Sequence, residues 1–335
     1  MENIKPTEYA FPCSIIRANE KKILSKNDIT KVLEVRTVQQ AMGVLSEFDY
    51  GDGRELENPR DFEKDLKKAL KEAYELVFSV TPSKEEVELF LYQNDYHNLK
   101  VIIKSEALNL NPEGMLVETG SIPKEKLLEM MRERNFIFMS VTMKEAVMEA
   151  LDVFAKGHDP QEIDIILDKA CYKDMYDKAL QLGNVFIINY VKLCIDILNV
   201  STFVRLREIN KPWSFYQKVF LQGGNISEKI FVTSWEEAYN QVAEKLAPFG
   251  FKELLTAGTD QITLDGKYTK FERIADDMKL KYVKDAKYVS FGIEPLIGYL
   301  IAKEMEIKNL RIILTGKVTE VPVEKISERL RDTYV

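Results

Sequence analysis

The chain has 335 residues, of which 45% are apolar and 30% charged, with a formal net charge of −7; that is the composition of a soluble globular protein of two or three domains. An acidic chain without a basic run or aromatic-basic interleaving argues against a nucleic-acid partner. With only 15 Gly and 11 Pro beside plentiful Leu, Lys, Glu, Ala and Met, a turn-rich β fold is disfavoured and an all-α fold is predicted.

Along the chain, the start at Met1 carries Glu2, Lys5 and Glu8 and has no apolar core of a secretory signal. Asp49-Tyr50-Gly51-Asp52-Gly53-Arg54 reads as a loop and 61–78 as a helix. Residues 84–109 contain no Gly or Pro and space Val87, Phe90, Leu91, Leu99, Ile102 and Ile103 helically, which predicts one long helix between Pro82-Ser83 and Pro112-Glu113-Gly114. Helices follow over 123–134, 142–155 and 160–182, the second opened by a capping box at Thr142-Met143-Lys144-Glu145. A long helix is expected over 182–209, with Gly183 in its first turn and Lys211-Pro212 as its stop. The most apolar stretch, 179–191, is too short and too polar to span a bilayer. Further helices are expected over 234–246, 268–281 and 292–315, with a loop from Gly258-Thr259-Asp260 to Asp265-Gly266. Cys13, Cys171 and Cys194 are odd in number and form no Cys-x-x-Cys pair, so buried reduced thiols are expected, and not a zinc site.

One phrase recurs in the C-terminal half of each long helix: Asp95-Tyr96-His97-Asn98-Leu99-Lys100, Asp196-Ile197-Leu198-Asn199-Val200-Ser201 and Glu306-Ile307-Lys308-Asn309-Leu310-Arg311. The acids are 101 and 110 positions apart, which divides the chain into three units, 1–118, 119–222 and 223–335. A second phrase follows each copy: Gly120-Ser121-Ile122-Pro123-Lys124, Gly224-Asn225-Ile226-Ser227-Glu228, and Val321-Pro322-Val323-Glu324. On a helix the acid and the Asn share a face. The pairs Asp95/Asn98, Asp196/Asn199 and Glu306/Asn309 are therefore expected to bond a neighbouring helix end and fix packing register. The other reading is a threefold set of contacts to an axial partner, with Lys100, Arg205 and Arg311 as candidate polar contacts.

No catalytic constellation is visible. Thr315-Gly316-Lys317-Val318 lacks the spacing and following hydroxyl of a phosphate loop, and no Gly-x-Gly-x-x-Gly occurs. The two histidines, His97 and His158, have no metal-ligand spacing, and no cofactor is implied. Trp213 and Trp235 are expected to pack. A helical scaffold, or less plausibly an enzyme with a site of no known motif, are the alternatives these residues leave open.

The block Gly292-Ile293-Glu294-Pro295 through Glu306-Ile307-Lys308-Asn309-Leu310-Arg311-Ile312-Ile313-Leu314-Thr315-Gly316-Lys317, with Ile326-Ser327-Glu328-Arg329-Leu330-Arg331, resembles the C-terminal signature of the C subunit of V/A-type rotary ATPases, whose eukaryotic relative is the d subunit of the vacuolar proton pump. The resemblance implies an all-helical, funnel-like protein of three pseudo-threefold-related units on the cytoplasmic side of a membrane. It would be a non-catalytic adaptor that spans no membrane itself. Its partners would be the central-stalk subunits and the membrane proteolipid rotor ring, and its task the transmission of torque for proton or sodium transport.

Overall fold

The computed structural model describes residues 5–51 and 55–335; Met1 to Ile4 and Asp52-Gly53-Arg54 of the expected loop lie outside the described residues. The regular structure of the described residues is helical, with no strand among them. By packing they form two compact units, one joining the chain up to Ser83 with Ala238–Val335, the other Lys84–Glu237. These boundaries of compactness differ from the division expected from the repeated phrase, at 118/119 and 222/223.

The first unit opens with α1 (Ala10–Glu20), α2 (Lys26–Glu34), α3 (Val38–Ser46) and α4 (Phe62–Val80). Capping boxes start α2 and α3: the Ser25 and Thr37 hydroxyls accept the Asp28 and Gln40 amides at 3.3 and 3.1 Å, and those side chains reach back to the cap amides. Between α3 and α4, Tyr50 is wholly buried, held inward between Asp49 and Gly51, both at positive φ.

The second unit begins with α5 (Lys84–Glu88), a 3-10 turn at Leu89–Leu91 and α6 (Tyr92–Leu108), so the single helix expected over 84–109 is interrupted by one tighter turn. It continues through α7 (Lys124–Glu133), α8 (Val141–Gly157), α9 (Pro160–Leu182), α10 (Val185–Glu208), α11 (Trp213–Val219) and α12 (Glu228–Thr233). The cap of α8 is Ser140, whose hydroxyl accepts the Met143 amide at 3.0 Å, and not Thr142. Gly183, at φ +75°, ends α9 and does not lie within α10, which starts at the Asn184 cap. Phe203, Tyr216, Phe231 and Trp235 form an aromatic core with centroids 5.4 to 5.9 Å apart. Trp235 packs as expected, whereas Trp213 is 46% exposed. By length and composition α10 could cross a bilayer, but half of its most apolar window is buried against protein, and it carries two buried polar side chains, Asp196 and Asn199.

The chain then returns to the first unit with α13 (Tyr239–Leu246), α14 (Lys252–Leu255), α15 (Ala257–Asp265), α16 (Thr269–Lys284), α17 (Glu294–Val318) and α18 (Val323–Ser327). The loop expected near Gly258 is helical: Gly258 is buried in α15, where an added Cβ would come within 3.1 Å of the Phe271 ring. The helix expected from 234 starts only at Tyr239. α17 is apolar on nearly every side, as a helix enclosed by protein must be. It packs on α1, α2, α3, α4, α16 and α18, and its Leu310, Ile313 and Leu314 join Val32, Leu45 and Leu66 in a core with no solvent exposure.

Candidate functional site

The acid and Asn of all three phrases are buried: Asp95 and Asn98 on α6, Asp196 and Asn199 on α10, Glu306 and Asn309 on α17. Each Asn pairs with both backbone groups of a single residue. Asn98 donates to the Val117 carbonyl (3.0 Å) and accepts the Val117 amide (2.8 Å). Asn199 does the same with Leu221 (2.8 and 2.9 Å) and Asn309 with Arg331 (3.1 and 2.8 Å). Only a carboxamide carries donor and acceptor side by side in the register of a peptide group, so neither Asp nor Leu could substitute.

The acids take consecutive amides. Asp95 accepts the amides of Ser121 (3.1 Å) and Ile122 (3.2 Å) and the Ser121 hydroxyl. Asp196 accepts the amides of Asn225 (2.9 Å) and Ile226 (3.1 Å) and the Asn225 side-chain amide (3.1 Å). An acceptor-only carboxylate fits such a pair of converging N–H groups. Ile122 and Ile226 each lie two residues before a helix, α7 and α12, so each clamp fixes a helix entry.

At the third copy the chain is discontinuous. Glu306 accepts the amide of Leu24 and the hydroxyl of Tyr50, and Lys303 donates to it from 2.7 Å. Leu24 lies two residues before α2, the position that Ile122 and Ile226 hold before theirs. The third counterpart of the loop phrase is therefore Ile23-Leu24-Ser25-Lys26 at the front of the chain, and Val321-Pro322-Val323-Glu324, the sequence-based expectation, supplies Glu306 with no bond. Arg331 near the C-terminus and Leu24 near the N-terminus together occupy the roles of the continuous segments 117–122 and 221–226. Asn225-Ile226-Ser227-Glu228 read against Leu24-Ser25-Lys26 carried the signal, an aliphatic, a Ser and a charged helix start.

Two glycines are part of these clamps. A Cβ on Gly120 would collide with the Asp95 carboxylate and come within 2.9 Å of the Ile122 carbonyl; one on Gly224 would collide with the Asp196 carboxylate. Burial raises the pKa of both carboxylates against the hydrogen bonds that lower it, Asp95 to about 6. Beside Asp95, the Tyr96 and Ser140 hydroxyls donate to Asp174 at 3.1 and 2.6 Å, and burial raises that carboxyl as well.

Of the basic candidates, Lys100 pairs with Asp168 (2.5 Å) and Arg311 with Glu63 (2.9 Å), while Arg205 is exposed in the last turn of α10. His97 and His158 are exposed. All three cysteines are free and buried, and burial pushes the Cys171 thiol far up, which removes the thiolate needed for reactivity. The clamps are thus polar and buried, each acid and each Asn bonded to the backbone of a returning segment and the acids to side chains as well, an arrangement that holds elements in register.

A family model described as "ATP synthase (C/AC39) subunit" matches residues 12–329. The C subunit of the V-type sodium ATPase of Enterococcus hirae is 23% identical over 331 residues, covering 98% of this chain and 99% of that protein. The C subunit of the A-type ATP synthase of Methanocaldococcus jannaschii is 24% identical, over 96% and 86%, and that of Desulfurococcus sp. is 24% identical, over 97% and 91%. With the family signature running from α1 into the segment after α18, the chain belongs to the ATP synthase (C/AC39) subunit family, as a component of a V/A-type rotary ATPase.

Proposed function

We propose that the chain is a non-catalytic rotor adaptor that couples the central stalk of a V/A-type ATPase to the proteolipid ring, on the cytoplasmic side of the membrane, and passes torque between them for proton or sodium transport. The observation that carries this reading is the end-to-end family match. The clamps support it physically, because an element under torque must resist sliding of its helices, and densely packed helices tied by buried bonds at their entries are stiff. The division into units 1–118, 119–222 and 223–335 is part of the proposal, each unit contributing one clamped helix. Lys100, Arg205 and Arg311 are the candidate contacts for the stalk or ring, Lys100 and Arg311 by exchanging Asp168 and Glu63 for a partner's carboxylate. The test is affinity purification of the tagged full chain from its native membranes. Recovery of stalk and proteolipid subunits in fixed proportion is expected; recovery of the chain alone would overturn the reading.

A further inference from the structure

The first unit holds a cavity of about 750 Å³ between α16, α17 and the segment around α18, and its walls are basic in a protein that is otherwise acidic. Lys267, Lys308, Arg311, Arg329 and Arg331 line it against one lining carboxylate, Glu272. Lys308 and Arg331 converge on a single oxygen of Asp276, at 2.5 and 2.8 Å. Lys267 pairs with Asp265 and Arg311 with Glu63. Five cations therefore meet four carboxylates, and Arg329 is exposed and carries no ion pair among the described residues. The Lys267–Asp265 and Arg311–Glu63 pairs are solvent-exposed on both sides, and pairs of this kind are weak and exchange readily for another anion; Lys308 is 43% exposed and lies on the buried Asp276, from which its ammonium also reaches the cavity wall. Arg331, by contrast, is 7% exposed, fixed on Asp276 and on the Arg329 carbonyl, which gives the wall a rigid guanidinium. The volume lies within the range of small-ligand sites.

We propose that this cavity binds a phosphate-bearing anion, the phosphates seated among Lys267, Lys308, Arg311 and Arg329. Clustered guanidinium and ammonium groups on one concave wall are the donors that a multiply charged phosphate requires. Free polyphosphate and the headgroup of an anionic lipid present the same chemistry. The test titrates the full chain with inorganic triphosphate by calorimetry and, in a second arm, sediments it with vesicles of phosphatidylcholine with or without phosphatidylglycerol. The doubly substituted Lys267→Ala/Arg329→Ala protein, altered only at exposed side chains, is compared with a Lys169→Ala/Lys173→Ala control in the other unit. Saturable binding of one triphosphate per chain, weakened about tenfold or more by the first pair and not by the second, would establish a free-phosphate site. Retention on phosphatidylglycerol vesicles alone, with the same dependence on Lys267 and Arg329, would establish a headgroup site. Absence of binding in both arms, or binding that the two variants alter equally, would overturn the proposal.

Discussion

At Asn199 a single buried side chain serves both backbone groups of Leu221. Asn199→Ala leaves that amide and carbonyl buried without partners, at a cost of about 2–4 kcal/mol, and chemical denaturation would register it; a loss below ~0.5 kcal/mol would contradict the clamp. Asn199→Asp should be at least as damaging, since a carboxylate cannot donate to the carbonyl. Asp95 makes a pH-dependent case. Its pKa rises from 3.8 to about 6 on folding, so between those values the native state holds a proton that the unfolded chain has released. Its contribution to stability is present below 3.8 and is lost as pH rises through about 6, at up to ~1.4 kcal/mol per unit. The difference in stability between the native sequence and Asp95→Asn should therefore fall across pH 4 to 6 and level above; a difference independent of pH would contradict the assignment. The acid and the Asn were legible as a buried pair from their spacing, but not their partners, because a helix face says nothing about which loop returns to it.

Among the elements, α9 matches its expected span of 160–182 because Pro160 and Gly183 punctuate both ends. The start of α13 and the 3-10 turn at Leu89–Leu91 were not legible, since no Gly or Pro marks either and tertiary packing sets both. Gly120 and Gly224 serve close approach to a carboxylate and not backbone conformation, since neither takes a left-handed φ, whereas the neighbouring Gly223 does, at φ +101°. Gly224→Ala should push the 224–226 loop off Asp196 and destabilise by about 1–3 kcal/mol, whereas Ala at Gly114, which has open space around it, should cost little. A thermal melt comparing the two decides; equal melting temperatures would contradict the requirement for close approach.

For the whole molecule, the third clamp brings the two ends of the chain into one structural role: Asn309 holds Arg331 and Glu306 holds Leu24. The pairing of Glu306 with Asn309 was visible in the sequence, but the segment that closes on it was not, since the partner of Glu306 lies 282 positions upstream. Hydrogen exchange on Glu306→Ala should speed the Leu24 amide while leaving those of Ile122 and Ile226 unchanged; an unaffected Leu24 amide would contradict the closure. The family places the chain in a rotary ATPase, and the proposed role there is to couple and not to catalyse. The most direct measurement compares ATP hydrolysis and ion uptake in vesicles carrying the assembled complex with and without this component. The account predicts that hydrolysis by the remaining assembly persists while ion uptake is lost and returns when the chain is added back; full uptake in its absence would contradict it.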